Sequence, residues 1–213
     1  MTVETRGALT GRVIVLALAL EGALAALAML GGLLAGQSPL SSIRWGIEAL
    51  PQNAEAVGWG LLGSAPMLLG LAVAVRCPVG LLGRLLRLAE TLSRGLFVRC
   101  STVELALVGV AAGVGEEMFF RGLVQDAMGR WAGVPAGVLA ASVLFGLAHP
   151  LGVEYAAAAA LTGLWLGGLY VATGNLLSPI VAHAAYDFMA LCYLVRRSRG
   201  HERQAASPAA ESG

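Results

Sequence analysis

Six ionisable side chains sit in stretches that are otherwise almost wholly apolar: Glu116, Glu117, Arg121, His149, His183 and Asp187. Carboxylates and imidazoles move protons in catalysis, and a buried guanidinium needs an anion beside it. Helical spacing sorts the six. Glu117 and Arg121 stand four residues apart with the acid first, the better order for an ion pair on a helix. In low dielectric a carboxylate–guanidinium fork is the natural way to hold Arg121, so Glu117 is predicted to be its structural partner. Glu116 lies about 100° round the helix from Glu117 and has no partner on its own helix, which makes it the general-base candidate. His183 and Asp187 share one helical face, as do Phe145 and His149. Brought together, these faces place one free carboxylate, two imidazoles and a further acid round one polar pocket. Such a set suits activation of a water with stabilisation of an oxyanion. It equally suits a Glu/His site for a divalent metal such as zinc, with Glu116, His149 and His183 as ligands.

Each group also has a plainer reading. Glu117–Arg121 alone is a structural pair, and a lone intramembrane histidine is more often a helix–helix hydrogen bond. Glu21 and Glu104 read as bundle or interfacial contacts, and Asp126 and Glu154 as solvated residues near helix ends. Six such groups within 72 residues, from Glu116 to Asp187, make a purely structural role improbable. Other intramembrane chemistries fit less well. There is no HExxH, no GxSG, and no GxGD after Tyr186-Asp187. The 14 basic residues are all arginine, which removes lysine Schiff-base chemistry. Cys77, Cys100 and Cys192 show no CxxC spacing and read as free thiols or small buried hydrophobes.

The elements that position these groups must be membrane helices. Of 213 residues, 57% are hydrophobic and 13% charged, against roughly 25% charged in soluble domains. A net charge of +1 offers no basic face to nucleic acid. A polar tail over 1–12 is followed by uncharged or nearly uncharged spans at 13–35 and 56–75, the second with Pro66 as a kink. Residues 79–99 repeat leucine at 81, 85, 88, 92 and 96 with arginines between, the pattern of an amphipathic helix lying at the interface. Further spans are predicted at 102–128, 134–149, 155–172 and 176–195, and then a disordered Arg-rich tail over 196–213. Arginines cluster in 76–99 and in that tail, whereas the alternate loops carry only Arg44 and Arg130. The positive-inside rule then gives six spans with both termini cytoplasmic. The expected fold is an all-α transmembrane bundle: N-terminal spans and interfacial helix over 13–100, and a catalytic core over 101–195.

Three motifs stand in order on predicted spans: Glu116-Glu117-Met118-Phe119-Phe120-Arg121, Phe145-Gly146-Leu147-Ala148-His149 and His183-Ala184-Ala185-Tyr186-Asp187. They resemble the EExxxR, FxxxH and HxxxN/D motifs of the CPBP family, the CAAX prenyl protease and bacteriocin-processing (Abi) intramembrane proteases. The run from Thr173-Gly174-Asn175-Leu176 to Pro179-Ile180 is also similar to the family's stretch before its last motif. The resemblance covers about 102–195 and implies an endopeptidase buried in the membrane. It implies that Glu116 and His149 activate a water and that His183 and residue 187 support the oxyanion. Glu117, Arg121 and Phe145 would support them structurally. The family is described both as metal-dependent and as metal-free, and direct activation is slightly favoured. Family members often carry Asn at the last position, and the Asp187 here must be protonated to donate, or else orient His183.

The substrate expected is a membrane-anchored protein or peptide within the lipid bilayer. The all-Arg, Ala- and Gly-rich composition points to a bacterial inner membrane, where prenylated substrates are not expected. Two other functions compete: a non-catalytic scaffold or immunity protein of the same fold, and a transporter, which the lack of inverted repeats disfavours.

Overall fold

The computed structural model describes residues 3–205, and every regular element among them is helical. In chain order these are α1 (Val3–Leu34), a 3-10 turn at Ile47–Ala49, α2 (Leu50–Arg76), α3 (Gly80–Leu96) and α4 (Thr102–Glu117). A π-helical stretch, Met118–Gln125, then leads into α5 (Asp126–Ala132), α6 (Val134–Leu147), α7 (Val153–Thr173) and α8 (Leu177–Ala205).

The all-α membrane bundle is therefore as expected. Among the described residues, four helices are long and apolar enough to cross a membrane: Gly11–Leu34, Ile47–Arg76, Val153–Thr173 and Leu177–Glu202. The two other segments read as spans are helical in the expected places but differ in kind. Thr102–Ala132 is helical throughout yet carries the site charges. Val134–Leu147 is apolar but has 14 residues, about 21 Å of helix against a hydrocarbon core of about 30 Å.

Three boundaries move, one of them the start of α2, which lies at Leu50 and not at 56. The first helix begins at Val3, ten residues ahead of the expected start at 13. The last runs to Ala205, so 196–205 is helix where a disordered tail was expected. Side chains of that extension have fixed partners. Arg197 Nε lies 2.7 Å from Glu90 Oε1, and Arg199 donates to the carbonyls of Val98 and Cys100. Residues 206–213 of the expected tail lie outside the described residues. These same contacts bring α3 and the end of α8 to one end of the bundle, as the arginine distribution required.

The amphipathic α3 also turns out to have two apolar faces. Leu82, Leu86 and Ala89 pack on Ala74 and Leu194, with Leu86 fully in the core. The leucine stripe picked out by spacing is rotated from that seam, and Leu81 and Leu96 at its ends are exposed.

The helices that carry the site are held close by small residues. A Cβ on Gly113 of α4 would lie 2.8 Å from the Ile180 carbonyl oxygen of α8, and one on Gly109 would lie 3.0 Å from the Phe188 nitrogen. Glycines four apart let two membrane helices approach backbone to backbone, and this seam sets Glu116 and Glu117 opposite His183. The start of α4 is fixed by a capping box. The Ser101 hydroxyl accepts from the Glu104 amide, and the Glu104 carboxylate accepts from the Ser101 amide at 2.7 Å. Glu104 is therefore a cap, not a bundle contact.

Candidate active site

Glu117 and Arg121 are both fully buried. Arg121 Nη1 donates to Glu117 Oε1 at 2.7 Å, and Nη2 donates to the Gly163 carbonyl of α7 at 3.0 Å. The guanidinium also lies over the Phe145 ring, 4.8 Å from its centroid. The predicted structural pair is present, but through one hydrogen bond and not the expected fork, since Glu117 Oε2 and Arg121 Nε have no partner. Its place at the start of a π-helical stretch is physically apt, because one residue per turn too many re-aims the side chains that follow.

The pair does more than neutralise itself. His183 Nδ1 lies 2.8 Å from the same Glu117 Oε1 that receives Arg121. A carboxylate oxygen paired with a guanidinium can only accept, so His183 donates from Nδ1. Nε2 is then the nitrogen that faces the remaining acids: Asp187 Oδ2 at 3.5 Å and Glu116 Oε2 at 4.0 Å. Spacing alone made Asp187 a candidate for orienting His183; Glu117, from the neighbouring helix, holds that nitrogen instead. Glu116 Oε2 is buried with no hydrogen-bond partner.

His149 is set in the same way by a different acceptor. Its Nδ1 lies 2.7 Å from the Phe145 carbonyl, which can only accept, so Nε2 is again left free. Phe145 connects the two histidines. Its ring centroid is 4.7 Å from that of His149 and 5.8 Å from that of His183, and it meets Phe120 edge-on at 5.1 Å. The structure therefore brings together Glu116, Glu117, Arg121, Phe145, His183 and Asp187, and sets His149 against the same aromatic ring.

Fixing each Nδ1 and leaving Nε2 free is also how metal-ligating histidines are commonly held. Among the described residues, however, no group of three or more His, Cys, Asp or Glu is arranged to hold a metal ion. The residues as placed do not fit a metal.

Glu21 was read as a bundle or interfacial contact and lies nearer the site than that. Its backbone packs on Gly115 of α4, where a Cβ would lie 2.5 Å from the Glu21 carbonyl oxygen, and its Oε2 is buried without a partner. The signal was there, since Glu21 is the one charge in an otherwise apolar span. Asp126 is likewise not simply solvated: it accepts from the Tyr170 hydroxyl at 3.1 Å.

Residues 98–189 match the family model described as Type II CAAX prenyl endopeptidase Rce1-like. The matched segment contains all three motifs and every residue of the cluster. Over this segment the chain is similar to the CAAX protease family that those motifs resemble. No curated protein and no solved structure matches the chain.

Proposed function

Starting from that similarity, we propose that the protein is an intramembrane endopeptidase that hydrolyses a peptide bond in a membrane-associated protein or peptide. The observation that carries the reading is the shared oxygen of Glu117. By accepting from both Arg121 and His183 it fixes the histidine so that Nε2 faces Glu116 and Asp187.

In this reading Glu116 is the general base. It removes a proton from a water whose oxygen attacks the scissile carbonyl carbon, and His149 Nε2 accepts a hydrogen bond from the same water. The carbonyl π electrons move onto oxygen, giving a tetrahedral oxyanion. His183 carries a second proton on Nε2 and donates to that oxyanion, while Glu117 balances its charge across the ring. A protonated Asp187 supplies the second donor. Glu116 then returns its proton to the departing amine nitrogen as the C–N bond breaks. Burial among apolar helices makes each of these polar interactions worth more than in water.

Purified protein reconstituted in liposomes with a library of membrane peptides tests this directly. Wild type cleaves at defined bonds, and Glu116→Gln, folded to the same thermal stability, does not. Equal turnover by Glu116→Gln would reject the assignment.

A further inference from the structure

A large cavity lies away from the cluster of acids and histidines. It is a groove of about 1110 Å³ between α2 and α7, on the far side of α7 from Arg121. The two faces of α7 separate the sites. Gly163 and Gly167 meet Arg121 and Gln125 on one side, and Trp165 and Leu169 line the groove on the other. Its floor is closed by the Trp165 indole donating to the Gly63 carbonyl at 2.7 Å. Leu62, Pro66 and Leu69 form the apolar shaft.

We propose that this groove binds one phospholipid with a zwitterionic, amine-bearing headgroup from the leaflet at the α1–α2 end, independently of catalysis. Length and charge each point to that occupant. From Gln52 to Leu69 the groove follows α2 for 17 residues, about 25 Å. Half a hydrocarbon core plus one headgroup layer is about 20–22 Å, so the groove spans one leaflet and stops. A transmembrane peptide would need the full core thickness.

The polar end of the groove carries one cation and one anion, Arg44 and Glu55. It is a built end. Asn53 donates to the Arg44 carbonyl at 2.8 Å and accepts from Asn175 at 3.0 Å, which ties the α1–α2 loop to the α7–α8 turn. Arg44 spends one donor on Gln52, at 3.2 Å, and keeps the rest of its fork for a phosphate. Glu55 accepts from the Trp59 indole at 3.3 Å and keeps a second oxygen for an ammonium. Trp59, half exposed beside them, is the residue type that settles at headgroup depth.

The test uses the full chain purified from nanodiscs of phosphatidylethanolamine and phosphatidylglycerol in equal parts, with lipid retained per chain read by native mass spectrometry. Wild type is expected to keep one phosphatidylethanolamine. Arg44→Gln and Glu55→Gln should each lower its retention roughly tenfold, the effect of losing one charge-assisted hydrogen bond. Ala65→Phe, which fills the shaft, should abolish it. Matching circular dichroism and melting show that each variant folds. Equal retention of both lipids, retention of phosphatidylglycerol alone, recovery of a bound peptide in place of lipid, or no response to these variants in folded protein would each overturn the proposal.

Discussion

Glu117 Oε1 and His183 Nδ1 lie 2.8 Å apart, on an oxygen that Arg121 already occupies. The contact joins two helices whose motif residues are 66 positions apart in sequence. It gives the second glutamate of the pair two tasks, holding a buried cation and setting the tautomer of a histidine. The first glutamate, facing the opposite ring nitrogen, has neither task.

Substitutions at the two positions should therefore fail in different ways. Glu117→Gln leaves Arg121 charged in a fully buried place, and breaking such a pair costs roughly 3–5 kcal/mol. The expected outcome is a large drop in melting temperature or loss of folded protein. Glu116→Gln removes a group with no hydrogen-bond partner, so stability should hold while turnover falls by about 10²–10⁴. Thermal melts and single-turnover cleavage on both variants check this, and a stable, inactive Glu117→Gln would reverse the assignment.

The helix seam that brings these groups together is itself open to test. Any side chain at Gly113 collides with the backbone of α8 at Ile180 and Ala184. Gly113→Leu should push α4 from α8, cost at least ~1–3 kcal/mol and abolish activity through geometry rather than chemistry. Gly70 has nothing within reach of a Cβ, so Gly70→Leu should be neutral in both melting and cleavage. Equal behaviour of the two variants would show that the seam does not control the site.

Much of this was legible in the residues and some was not, for physical reasons. Helical periodicity shows which residues share a face, and it correctly paired Glu117 with Arg121. It is blind to contacts across helices. From one helix alone, Asp187 could either donate as a protonated acid or orient His183, because only the fold reveals that Glu117 reaches Nδ1. The capping box at Ser101 and Glu104 was readable from its spacing and was obscured by reading Glu104 as a charge inside a span. Leucine spacing identified α3 but not which of its faces meets protein, since lipid and protein core are equally apolar. The helical extension over 196–205 rests on partners in α3 and the 98–100 turn, which no local pattern encodes.

Asp187 offers a sharper test now that the other ring nitrogen is accounted for. With Glu117 on Nδ1, Asp187 is not needed to fix the tautomer, and its 3.5 Å separation from Nε2 puts it beside the proposed oxyanion position. As a protonated donor it can be replaced by an amide. Asp187→Asn should keep most activity, and Asp187→Ala should lose about 10²–10³ in kcat, the cost of one oxyanion donor. Equal, severe losses in both variants across several pH values would contradict the donor role.

Topology can be read with cysteines placed by the structure. Cys77, just after α2, is exposed, whereas Cys100 is buried. Six crossings with both termini on the cytoplasmic side put Cys77 and position 200 on that side and position 41 on the other. A membrane-impermeant maleimide should therefore label Cys77 only in inside-out vesicles. In a Cys77→Ser background, Gly200→Cys should follow the same pattern and Ser41→Cys the opposite one. The physical basis is the arginine count. Arg76, Arg84, Arg87, Arg94 and Arg99 lie at the end shared with Arg197 and Arg199, and moving that cluster across a bilayer is strongly disfavoured. If Cys77 and position 200 label from opposite sides, an odd number of crossings separates them. The short Val134–Leu147 helix, about 21 Å long, would then be the segment that enters the membrane without crossing it.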